Sequence, residues 1–376
     1  WGTRVATHTR LMLSVRLPWV RPPPPVVAPP PPPLAMDPVW AAVAIVVWSA
    51  FTLSQVRFMR GHFGTLQPEH AHHTWWCVGL LLVANAAFGP ALGDAKLAIA
   101  LPVNQMLDTF QIMYLIARIT PIAGFGLLFA SELAVYVFSL GAPSTMYAYM
   151  RHPPMAVHAC SFIYYVLEMC VNIHTMLDAF GRPVYPLRYI LWTCSVSCMF
   201  ISIYFVVDST HRVANAVSLR RVLHDDLAQG LLCTNGMFAT GFLSGYPWGE
   251  DRRHINAFCF LVSCYCFYGA LGHIDQMLKS NQTVARDCGA TGLAFQFSIV
   301  RKTFFCVWHL FPMVWALAAC GSLSIQVEHI GYIVADVVAK FLLMFVYVVS
   351  VNNFSAASTA TVEGRPVFML ARTPSA

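Results

Sequence analysis

The stretch VADVVAKFL, residues 334–342, places Asp336 and Lys340 inside an apolar run that extends from about Ile330 to Val351. A run of that length crosses the roughly 30 Å hydrocarbon core of a bilayer as a single helix of about 20 residues. Four residues apart, the two charges stack on one helix face, and in hydrocarbon each needs a partner or a neutral form. Two readings stand side by side. In the first, an internal salt bridge does no more than make both charges tolerable. In the second, the lysine amine is used covalently, as a Schiff base with an aldehyde, and the aspartate is the counterion of its protonated nitrogen.

The rest of the chain has the composition of its environment. Charged residues make up 11% of the 376 and hydrophobic ones 57%, with 26 Phe, 14 Tyr and 10 Trp, which predicts a multi-pass membrane protein embedded in a lipid bilayer. The formal charge of +6 is modest, and the basic residues fall mostly between apolar runs, so no basic stripe exists to bind nucleic acid. The 12 cysteines are scattered singly; the closest, Cys194 with Cys198 and Cys264 with Cys266, lack a second ligand pair and read as small buried hydrophobes rather than a metal site or disulfide.

Hydropathy predicts spanning helices near 38–58, 74–93, 106–141, 155–178, 187–208, 227–247, 255–278, 297–320 and 329–352. The third is interrupted by Pro121 and exceeds one crossing, so an eight-helix count stays open beside nine. Four segments result. Residues 1–35, with RPPPPVVAPPPPPLA, form a Pro-rich disordered segment that precedes Met36 and is read as an untranslated stretch. Residues 36–105 hold one or two extra N-terminal transmembrane helices, 106–353 a seven-helix domain, and 354–376 a cytoplasmic tail. No enzyme domain is expected in this chain. Arg57, Arg60, Arg151, Arg212, Arg220, Arg221, Lys279, Arg286, Arg301 and Lys302 fall at alternate breaks. With nine helices the N-terminus is outside and the C-terminus cytoplasmic, although Arg252 and Arg253 lie on the other side.

The helix before VADVVAKFL carries WHLFPMVW, with Trp308, Phe311, Pro312 and Trp315 at i, i+3, i+4 and i+7, an aromatic stripe with a proline in it. Taken together, ADVVAK and the preceding WxxFPxxW resemble the microbial (type 1) rhodopsin family. Upstream, RYILW at 188–192, TNGMFATG at 234–241 and FLVSCYCFY at 260–268 are similar to that family's third, fourth and fifth helices. The resemblance implies an all-α integral membrane bundle of seven helices preceded by the extra ones, with all-trans retinal held covalently on Lys340 and Asp336 as Schiff-base counterion. It further implies Trp308 and Trp315 on one side of the polyene, with Phe311, Pro312 and Ala339 beside them, and Trp192 on the other. Met237 or Phe238, Gly241, Phe260, Ser263 and Phe267 are placed around the ring end, and Arg188 on the extracellular side.

Physically the set is coherent. A long rigid apolar ligand needs flat aromatic walls and few polar groups, and a cationic imine in a low-dielectric medium needs a nearby anion.

Departures from the family pattern narrow the function. Leu191 occupies the place of the RYxDW aspartate, the proton acceptor of outward pumps, and Ser202 the place of the proton donor; neither titrates near neutrality. A conventional proton pump is therefore not expected. Phe311 replaces a tyrosine, so the hydroxyl that residue gives Asp336 is missing. Chloride near Arg188 and Ser195, or the intramembrane carboxylates Glu132 and Glu168, stand as candidates for the second negative charge, against the plainer reading of glutamates at interhelical seams. Val196 replaces a cysteine common in channelrhodopsins. His158, His174 and His273 are candidate proton-relay groups; Asn281-Gln-Thr is a glycosylation sequon by letter, predicted cytoplasmic and unused. The expectation is a light-sensing photoreceptor acting through a homo-oligomer or a cytoplasmic signalling partner. Its rivals are a light-gated channel or anion-translocating rhodopsin, and a transporter-like protein that binds no retinal.

Overall fold

In a computed structural model of the chain, residues 49–53, 68–91, 109–139, 150–170, 176–177, 182–213, 217–246 and 253–362 are described, with isolated positions at 46, 55 and 57. All of these belong to one compact unit that spans residues 35–376. The Pro-rich segment, most of the predicted first helix and His174 lie outside the described residues, as does the tail beyond residue 362.

A 3-10 turn, Pro68–Thr74, leads into α1, Trp75–Ala91. Seven helices follow: α2 Thr109–Ser139, α3 His152–Cys170, α4 Pro186–Val213, α5 Val217–Gly245, α6 Arg253–Asp287, α7 Thr291–Ala319 and α8 Ile325–Val362. Between α3 and α4, two-residue strands β1 (Met176–Leu177) and β2 (Pro183–Val184) pair antiparallel, Met176 with Val184 and Leu177 with Pro183. The predicted helix 155–178 is described to Cys170, and Met176–Leu177 near its predicted end are strand rather than helix.

Four described helical segments are long and apolar enough to cross a membrane: Ile112–Phe138, Pro186–His211, His254–Asp287 and Thr291–Ala319. On α2 the inward stripe is Tyr114, Pro121, Phe125 and Glu132, while Ile112, Met113, Ile116, Leu127 and Phe138 are exposed. Large apolar side chains pointing outward and a carboxylate pointing inward are what a lipid solvent selects. Pro121 does not break α2, which runs through it as one helix of 31 residues.

Several helices outrun their hydropathy. α5 starts ten residues before its predicted start at 227, α6 continues to Asp287, and α8 reaches Val362. Hydropathy marks only the part of a helix that lies in lipid; polar residues extend the same hydrogen-bond ladder into water. Arg220, Arg221, Lys279, Arg286, Arg301 and Lys302 accordingly stand within helices, not in loops. Asn281 of the sequon is on α6 and fully buried. The α6–α7 and α7–α8 turns are tight because Gly289 and Gly321 take positive φ, 77° and 71°, and the backbone N–H of Ala290 and Ser322 closes on Ala285 and Leu317.

α1 packs against α3 and α4, burying Cys77, Leu81 and Ala84 while Trp76, Leu82 and Val83 face outward. With α1 on one side and α3, α5, α6 and α8 on the others, α4 is buried over most of its length.

Candidate functional site

Lys340 on α8 is 1% exposed, and its Nζ donates to Asp336 Oδ2 at 2.6 Å, the i, i+4 pair that the helical spacing predicts. Asp336 Oδ2 also accepts a hydrogen bond from the Tyr165 hydroxyl of α3 at 3.0 Å. Nζ lies 5.4 Å from the centre of the Phe125 ring on α2. Two buried charges in this setting persist because each satisfies the other and a third group donates to the carboxylate.

The pair forms part of the wall of an open cavity of about 820 Å³, the solvent space at its mouth included. Trp192, Met237, Phe238, Gly241, Phe260, Ser263, Phe267, Trp308, Phe311, Pro312, Trp315, Ala339, Asp336 and Lys340, all singled out in the sequence, line it. Tyr189, Val196, Met199, Ser244, Cys264 and Tyr332 line it as well. Trp192 of α4 meets Phe311 of α7 and Tyr332 of α8, each at 5.3 Å, and Trp315 stacks on Phe260 of α6 at 4.2 Å. Both Met237 and Phe238 reach the wall, which removes the register choice between them. Gly241 is small for a reason: a Cβ there would sit 3.1 Å from Ser263 Oγ.

Leu191, Ser195 and Arg188 are buried but do not line this cavity. Ser195 Oγ has no hydrogen-bond partner among the described residues. Arg188 is committed elsewhere: Nη2 reaches Glu168 Oε1 and Nε the Tyr164 hydroxyl, both at 3.3 Å, and the guanidinium packs over Tyr185 and Tyr332. Glu168 also accepts from Tyr164 at 2.8 Å and lies 3.2 Å from His329 Nε2, whose Nδ1 is 2.9 Å from the Tyr114 hydroxyl. This cluster ties α2, α3, α4 and α8 together beyond the Lys340–Asp336 pair.

The second carboxylate, Glu132, pairs with His158 at 2.8 Å. Neither glutamate is in contact with Lys340, so each occupies an interhelical seam, and Asp336 is the carboxylate that meets the amine among the described residues. His273 lies 3.0 Å from Asp226. Ser202 Oγ donates to the Cys198 carbonyl of its own helix at 2.8 Å.

Sequence reasoning missed Tyr165, Tyr332 and His329. Tyr165 carries a detectable signal, since it lies one turn before Glu168 and two turns after His158, on one α3 face. Its partner on α8 is 171 residues away in sequence, and only the fold joins them. Phe311 gives Asp336 no hydroxyl, and Tyr165 supplies one from another helix.

An amine beside one carboxylate, on an otherwise aromatic and apolar wall, fits a long apolar aldehyde bound end-on, and offers little to a polar substrate. Among the described residues no cluster of three His, Cys, Asp or Glu side chains suits a metal ion.

A family model described as bacteriorhodopsin-like protein matches residues 109–354. Halorhodopsin of Natronomonas pharaonis is 26% identical over 179 residues, 47% of this chain and 53% of that protein, so the chain spans about half the length of the curated relative it matches. Among solved structures, the transmembrane domain of Salpingoeca rosetta rhodopsin phosphodiesterase is 16% identical with a TM-score of 0.48, covering 82% of this chain and 96% of its own. Thermophilic rhodopsin from Rubrobacter xylanophilus is 20% identical with a TM-score of 0.49, covering 64% and 94%.

Proposed function

The chain belongs to the bacteriorhodopsin-like protein family, and from that premise we propose that it is a retinal-binding light sensor of the membrane. The observation that carries this reading is the buried Lys340–Asp336 pair at 2.6 Å on the wall of an aromatic cavity. Lys340 would hold retinal as a Schiff base, and the group would supply light absorption and a change of shape. The chain supplies the rest. Lys340 offers the nitrogen, Asp336 the negative charge beside it, and Tyr165 a hydroxyl that holds the carboxylate in place. Trp192 on α4 and Trp308 and Trp315 on α7 would confine retinal from its sides, with the lysine on α8.

Proton pumping of the usual kind has no support here. Leu191 cannot accept a proton, and the Ser202 hydroxyl is bonded back to its own helix. We therefore assign the output to helix rearrangement, signalled to a cytoplasmic partner or through a homo-oligomer, with the C-terminus on the cytoplasmic side. A second reading, ion translocation, is favoured by one observation: Ser195 Oγ, Ser197 Oγ and Thr234 Oγ1 are buried without hydrogen-bond partners among the described residues, polar atoms available to chloride or another ion. A photocurrent in retinal-supplied cells supports that reading; pigment colour without current supports the sensor.

Expression with all-trans retinal, followed by an absorption spectrum, tests the proposal. A visible band that is lost in Lys340→Ala is the expected result, with a retinyl adduct on Lys340 after borohydride treatment under illumination. A folded protein with no retinal-dependent band overturns it and leaves Asp336 and Lys340 as a paired charge in a membrane protein of another kind.

A further inference from the structure

Glu132 on α2 and His158 on α3 are 2% and 0% exposed, and His158 Nδ1 lies 2.8 Å from Glu132 Oε2. Ser131 and Leu133 on either side of Glu132 are exposed, so the carboxylate alone turns into the bundle. The remaining polar atom of each group, Glu132 Oε1 and His158 Nε2, is buried with no hydrogen-bond partner among the described residues. Both residues sit within about two helical turns, roughly 10 Å, of the ends where α2 leads into α3. On the other side, Phe125 stacks on His158 at 6.1 Å, and the same ring meets Tyr165 at 5.9 Å and Lys340 Nζ at 5.4 Å. The pair thus stands between the α2–α3 end of the two helices and the lysine, with the Phe125 ring as the spacer.

With one proton on the line between Nδ1 and Oε2, the pair carries a single negative charge. A second proton, on Oε1 or Nε2, makes it neutral, and both atoms stand open to receive it. We propose that Glu132 and His158 form a proton-exchanging pair whose protonation changes when the bundle rearranges around Lys340. The incoming proton leaves a hydronium of the water phase at the α2–α3 end, which becomes water, and an O–H bond forms at Oε1 or an N–H bond at Nε2; the reverse step releases it. Phe125 is the link, because a displacement at Lys340 moves the ring that covers His158. Among the other titratable groups on the packed elements are Tyr136 on α2, His152, Cys160, Tyr164, Tyr165 and Glu168 on α3, Cys77 on α1, Arg188, Cys194 and Cys198 on α4, His329, Asp336 and Lys340 on α8, and His70, His72 and His73 on the 3-10 turn. Of these, Lys340 and Tyr165 meet the Phe125 ring.

This inference rests on the photoreceptor reading, and its test separates the two. In the full-length pigment, light-minus-dark infrared spectra should contain a carboxyl band that shifts in heavy water, vanishes in Glu132→Gln and moves in His158→Asn. In retinal-free protein, the ring nitrogens of His158 and the carboxyl carbon of Glu132 should titrate together by NMR. A pigment whose carboxyl bands all survive Glu132→Gln overturns the pair and leaves the photoreceptor intact. Groups that titrate independently, or not at all between about pH 4 and 10, also overturn it, even in protein that forms no visible band.

Discussion

Asp336 Oδ2 carries two hydrogen bonds, one from Lys340 on its own helix and one from Tyr165 on α3. Removing the carboxylate leaves a buried ammonium without an anion, so Asp336→Ala should destabilise the retinal-free protein by about 3–5 kcal/mol. Asp336→Ala combined with Lys340→Met should cost much less, because no unpaired charge is left behind. Thermal unfolding in detergent, run as a double-mutant cycle, checks both. Tyr165→Phe keeps the ring stacked on Phe125 but removes a donor to an ionised acceptor. It should cost about 1.5–3 kcal/mol in the same assay, and it should move the absorption maximum of the pigment. A residue that acts through its partner's charge is invisible to a motif. Lys340, Asp336 and the tryptophans were legible because they repeat at helical spacing within one segment, whereas Tyr165 is defined by an atom on another helix.

At the scale of elements, α5 and α6 make the most extensive pairing among the described helices, and the reason is reciprocal small residues. Gly236 of α5 faces Cys266 of α6, and Gly269 of α6 faces Cys233 of α5; a Cβ at these glycines would lie 3.1 Å and 2.8 Å from the opposing sulfurs. Lipid offers no hydrophobic drive between helices, so close backbone approach and dispersion must hold them. Gly269→Ala should push the helices apart and lower stability by about 1–3 kcal/mol, and adding Cys233→Ala should return most of the loss. The rate of thermal bleaching of the pigment, or unfolding of the retinal-free protein, reads the difference. These helices form one side of the cavity through Met237, Phe238, Phe260 and Ser263, so a separation also loosens the wall. Existence and order of the helices could be read from hydropathy, but their ends could not. The ladder of backbone hydrogen bonds continues past the lipid boundary into segments whose polarity hides them.

For the whole molecule, seven successive crossings by α2–α8 would bring the α2–α3, α4–α5 and α6–α7 connections and the end of α8 to one side. Arg151, Arg212, Arg220, Arg221, Lys279, Arg286, Arg301 and Lys302 gather near that side by sequence position, which predicts retention in the cytoplasm. A C-terminal epitope should therefore be protected from protease in intact cells and cleaved only after permeabilisation; cleavage in intact cells inverts the topology. The amino-acid sequence by itself determined a membrane helix bundle, a lysine paired with an aspartate and the aromatic walls around them, because composition, run length and i, i+4 spacing are local properties. Tertiary structure alone decided that α1 covers α4, that Tyr165 holds Asp336, that Glu168 belongs to Arg188 and His329, and that Glu132 belongs to His158. The reason is that lipid and bundle interior are equally apolar, so hydropathy marks which segments enter the membrane without marking which face of each helix turns inward.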